Sequence, residues 1–166
     1  MTAMRRRLGR RHREGGASAV EFALVMPVLF LLLFGIIDYG LLFFDSIGLR
    51  QGAREGARQA VVQQYNGACT TGSVGDKIAC TTKKATDLTI GSAAVKVLAP
   101  DGWVQGKQLI VCTQSKEKSL TGYVPFPATG IIKTKTAMSI EEVAPTVTNF
   151  NVEEAAPSGG DWAWCS

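Results

Sequence analysis

The chain has 166 residues, is 46% hydrophobic and carries a formal net charge of +4. The excess is local: residues 1–16 hold six arginines against Glu14, or +5, while the remainder holds 12 basic against 13 acidic residues, or −1. This excludes a nucleic-acid surface, because no cationic stripe with interleaved aromatics follows the head, and the roughly 100 residues beyond the head and a long apolar segment allow only one small domain with a modest core.

Arg5, Arg6, Arg7, Arg10, Arg11 and Arg13 precede an apolar run over residues 22–44, which contains one acid, Asp38. A helix of that length, rising about 1.5 Å per residue, crosses the roughly 30 Å hydrocarbon core of a bilayer. Arginines within about 20 residues of a span mark its cytoplasmic end, so the chain reads as a single-pass protein of the cytoplasmic membrane, N-terminus in and C-terminal domain extracytoplasmic. A secretory signal has a shorter apolar core followed by its small-residue cleavage site. Here the small residues Gly15 and Gly16 come first, so the span is retained.

Ser18 and Glu21 have capping-box spacing, placing a helix start near Ser18, and Pro27 should bend the helix in its second or third turn. Asp38 is costly in a membrane unless it is paired or faces a protein-lined site. Two accounts fit it: a functional acid, or one that reaches the interface or its neighbour Tyr39. The helical pattern continues through residues 45–65, giving one element over about 18–65. Arg50, Arg54 and Arg58 form a basic ridge at fourfold spacing. Gly48, Gly52 and Gly56 recur in the same way and bare a stripe that another helix or a sheet can approach closely.

Asn66-Gly67 stops the helix, and residues 69–84, rich in Thr, Gly and Ser, read as a loop. Cys69, Cys80, Cys112 and Cys165 all lie beyond the span, where disulfides persist. Three pairings are open; Cys69 with Cys80 and Cys112 with Cys165 is the simplest, closing the polar loop and pinning the tail. Zinc is disfavoured: no C-x2-C pair occurs, and the sole histidine, His12, is in the head. Strands are predicted around Leu88 and Ile90, at Val95 and Val97, over residues 108–113, and over the alternation Ile132, Thr134, Thr136, Met138, Ile140, with a turn at Pro100-Asp101-Gly102. From about residue 144 the chain reads as a flexible tail anchored by Trp162, Trp164 and Cys165. These tryptophans and Trp103 should close a small core. Neither a nucleophile–base set nor a phosphate-cradling loop is visible, and Asp101, Glu117 and Asp161 are scattered, so no catalysis and no cofactor are expected.

The stretch Gly16-Ala17-Ser18-Ala19-Val20-Glu21-Phe22, set between a basic leader and an apolar helix, resembles the class III prepilin signal of the tight-adherence (Tad, Flp-type) pilus system. Glu21 to Pro27, with Ala53-Arg54-Glu55-Gly56-Ala57-Arg58, is similar to the TadE-like pseudopilin family. The resemblance implies a bacterial, type IV pilin-like, non-catalytic structural protein. It implies cleavage after Gly16 by a prepilin peptidase, leaving Ala17 as the new N-terminus and Glu21 as the fifth residue, whose carboxylate would meet a neighbouring subunit's amine and set register. The implied partners are the membrane, that peptidase, other pilin subunits and the Tad inner-membrane assembly proteins. A domain of about 100 residues implies a minor subunit that primes or caps a pilus. The expected organisation is a leader over 1–16, a helix over 17–65 and an α+β, disulfide-bonded antiparallel-sheet domain over 66–166. The rival reading is an uncleaved, signal-anchored surface binding module or adhesin.

Overall fold

A computed structural model describes residues 15–65, 67–88, 91–122, 130–142 and 149–166. The arginine leader, Asn66, Ile90 and the first residues of the expected tail lie outside the described residues.

Helix α1 runs over Gly15–Val61, 47 residues with Pro27 inside it, which at 1.5 Å per residue is about 70 Å. Its two halves live in different surroundings. Val20, Phe22, Leu24, Val28, Leu31 and Ile36 are exposed, as expected of a candidate membrane span. Asp38, Asp45, Leu49, Ala53, Ala57, Ala60 and Val61 are buried, and their spacing of three, four or seven residues places them on one face. Ser18 and Glu21 lie inside the helix, so they do not form the predicted N-terminal box. The chain leaves the helix by Gln63, whose φ of 51° is left-handed.

Helix α2, Val74–Ala85, replaces the predicted loop. Composition misled here because Thr and Gly weaken a helix, but a capping box and tertiary burial override that preference. The Ser73 hydroxyl accepts from the Asp76 amide, and the Asp76 carboxylate accepts from the Ser73 amide. Ile78, Ala79, Thr81 and Thr82 are buried against the rest of the domain.

Four antiparallel strands, β1 (Ala94–Leu98), β2 (Gln108–Lys116), β3 (Ile131–Ser139) and β4 (Val152–Glu153), make one sheet in the order β3-β2-β1-β4. Leu88 joins no strand. Central β2 is buried on both faces, from Leu109 to Ser115, and so lacks the alternation of a half-exposed strand. One face packs Val95, Val97, Leu109 and Val111 against Ala53, Ala57, Ala60 and Ile78 of the helices, with Trp103 and Ile140 closing the end.

The other face carries Ile110 and Cys112 under Trp162 and Cys165. The predicted free tail is therefore a cover. The Trp162 indole donates to the Glu154 carbonyl at 2.8 Å, and the Glu154 amide donates to the Val95 carbonyl at 3.1 Å. A segment that buries a tryptophan gains roughly 2–3 kcal/mol, which offsets the entropy of ordering a few residues. The disulfides are Cys69–Cys80, which ties the segment before α2 to that helix, and Cys112–Cys165, from β2 to the cover.

Candidate functional site

Gly16, Ala17, Glu21 and Phe22 lie along the first turns of α1 and are exposed. A helix puts residues four apart on one face, so the Glu21 carboxylate and the Ala17 backbone share a side of the rod. Among the described residues all four are open, and a Cβ at Gly16 would meet nothing within 4 Å.

The glycine stripe is occupied within the chain. A Cβ on Gly48 would overlap the Asp87 carbonyl, one on Gly52 the Thr86 hydroxyl, and one on Gly56 the Thr82 side chain. Three residues without side chains thus bring α1 against α2 and its C-terminal end closely enough to bury Thr82 completely. The sequence left open a helix or a sheet on this face; within the chain it is met by α2 and the two residues after it.

Where α1 changes from bare rod to packed helix, acids cluster at its contact with the chain beyond β2. Asp38 is 1% exposed, and its carboxylate accepts from the Ser119 hydroxyl at 2.7 Å, the Thr121 hydroxyl at 2.5 Å, the Leu120 amide at 3.1 Å and the Thr121 amide at 3.3 Å. The sequence left open a functional acid or one that reaches the interface or Tyr39; these four donors lie about 80 residues away because the chain after β2 folds down along the helix. Two turns further on, Asp45, 1% exposed, faces Glu117, 6% exposed. Burial, reinforced by hydrogen bonding and repulsion from Asp45, pushes the Glu117 carboxyl up to about 7. Between the acids lies a cavity of about 10 Å³, lined by Leu41, Leu42 and Lys118 as well.

Sequence reading missed the roles of Asp45, Glu117, Ser119 and Thr121. The available signal was Asp45 itself, seven residues after Asp38 and therefore on the same helical face. Of the ridge, Arg58 binds Glu55 at 2.7 Å and holds that carboxyl down at about 2 together with Gln59. Arg50 and Arg54 border a groove beside Lys133 and Lys135. Among the described residues, no group of three or more His, Cys, Asp or Glu is placed to hold a metal ion.

A rod that is apolar and exposed over one half and packed into a small disulfide-bonded antiparallel sheet over the other defines an α+β protein with, among the described residues, one candidate membrane-spanning helix near its N-terminus. A family model described as TadE-like protein matches residues 16–58, so the segment from Gly16 to Arg58 is similar to that family. The match ends before α2 and the sheet. No curated protein and no solved structure matches the chain.

Proposed function

We propose that this protein is a TadE-like minor pilin, or pseudopilin, a non-catalytic structural component that primes or caps a Tad/Flp-type pilus after its arginine leader is removed behind Gly16. The observation that carries this reading is the TadE-like match beginning at Gly16 on a helix whose following turns are apolar and exposed. In this scheme the prepilin peptidase frees the Ala17 amine, and Glu21 pairs with the corresponding amine of a neighbouring subunit. Opposite charges in a low-dielectric bundle are far better paired than alone, so the pair fixes register. Since α2 covers the glycine stripe, contacts with sister helices fall on the exposed apolar residues Ile36, Phe43 and Ile47.

The deciding experiment is intact-mass measurement and N-terminal sequencing of protein from cells with and without the prepilin peptidase. The expected product begins at Ala17 only when the peptidase is present. A full-length product that functions would support the signal-anchored binding module. Glu21→Ala should insert in the membrane yet fail to enter assemblies, and normal piliation would refute the registration role.

A further inference from the structure

The positions of the two acids in the rod constrain how the protein sits in a bilayer. Between Glu21 and Asp38 lie sixteen residues without a charge, about 24 Å of helix, which falls short of a roughly 30 Å hydrocarbon core. The stretch over 22–44 meets that thickness, but it carries Asp38 about 9 Å below its outer end. A bare carboxylate there is strongly disfavoured.

This carboxylate is not bare. Two hydroxyls and two amides of the turn at 119–121 saturate it, so Asp38 enters apolar surroundings with its solvation supplied by protein. The turn must then lie at the same depth as Asp38, and its side chains are arranged for that. Ser119 and Thr121 point their hydroxyls inward at the carboxylate, while Leu120, between them, is 62% exposed. A water-facing turn would show the reverse, with polar groups outward. On the helix at this level Ile36 is 72% exposed and Tyr39 is 42% exposed. Lys118, exposed just before the turn, can run its stem along the apolar zone and reach headgroups with its ammonium.

We infer that the turn at 119–121 is a membrane-seated lip, which carries the edge of the sheet domain into the leaflet on the domain side and places Leu120 among phospholipid acyl chains. The occupant is lipid because Leu120, 62% exposed, borders the same small cavity as Leu41 and Leu42 of the apolar run and so adds its side chain to the surface of the candidate span. The inference rests on the reading of α1 as a membrane span, and the test separates the two.

The experiment uses the full chain reconstituted in phosphatidylcholine vesicles, with a nitroxide attached through Leu120→Cys, Leu29→Cys or Val104→Cys and accessibility measured to oxygen and to a water-soluble nickel chelate. Leu29 lies in mid-span, and Val104 is an exposed residue of the β1–β2 connection. The expected result is a preference for oxygen at positions 29 and 120 and for nickel at 104. If 29 prefers oxygen while 120 behaves like 104, the lip is refuted and the span stands. If 29 itself prefers nickel, the span reading fails and the lip with it. Exclusion of both reagents from position 120 would mean a protein covers Leu120, and would also overturn the proposal. Leu120→Ser, which keeps the turn's amides, should lower partitioning of the domain edge without disturbing the Asp38 hydrogen bonds. Unchanged amide exchange at 120 and 121 in that variant confirms that the turn remains folded.

Discussion

Glu117 leans its carboxyl against that of Asp45 in the seam between the end of β2 and α1, and both side chains are buried. Two carboxylates cannot share such a site comfortably while both are ionised.

The consequence is a pH dependence with a definite sign. Because the folded Glu117 titrates near 7, raised from an ordinary value of 4.5, the native protein holds a proton that the unfolded chain has released between those values. Stability contributed by this group is fully present below about pH 4.5, falls as pH rises through about 7, and changes no further above it. Thermal unfolding of the detergent-solubilised protein should show a loss on the order of 2 kcal/mol from pH 5 to pH 8. Glu117→Gln should flatten that profile, and an equally steep profile in the variant would assign the effect elsewhere.

Asp38→Ala removes the acceptor for two amides and two hydroxyls. Leaving those donors buried should cost about 2–4 kcal/mol. Hydrogen exchange at the Leu120 and Thr121 amides should accelerate, whereas exchange in β1 should change little. Protection unchanged at 120 and 121 would show that other groups hold the turn.

Gly56→Ala should destabilise the outer domain by about 1–3 kcal/mol through overpacking against buried Thr82, although alanine is the better helix former by about 1 kcal/mol. Gly40→Ala is the control, because nothing lies within 4 Å of a Cβ at that position. Paired melting curves test this, and a stabilised Gly56→Ala would mean that α1 and α2 separate easily.

Cys112→Ser opens a loop closed over 53 residues, against 11 for Cys69→Ser. On the chain-entropy account the first should cost about 1 kcal/mol more than the second. It should also expose the cover around Trp162 to protease. Digestion that stays as slow as in the parent would show that Trp162 packing alone secures the segment.

Some of this was legible in the chain itself. Length and hydropathy of residues 22–44 revealed the candidate span, because crossing a bilayer requires a run of apolar residues and little else. The alternation at 132–140 revealed β3, whose half-exposed position keeps a period of two. Helix α2 was hidden by its threonines and glycine, whose weak helix preference says nothing about the α1 groove that accepts them. The C-terminal cover was hidden as well, because a proline- and acid-bearing segment looks like a solvated tail until Trp162 finds Ile110.

The sequence by itself determined the rod, the bare glycine stripe and the resemblance of residues 16–58 to the TadE-like family, since each depends on residues near one another along the chain. Only the tertiary structure decided what those features touch: α2 against the glycines, Ser119 and Thr121 around Asp38, and Glu117 beside Asp45. The reason is separation. Contacts across 30 to 80 residues are set by how the layers close over one another, and local periodicity carries no record of which distant donor will meet a given acid.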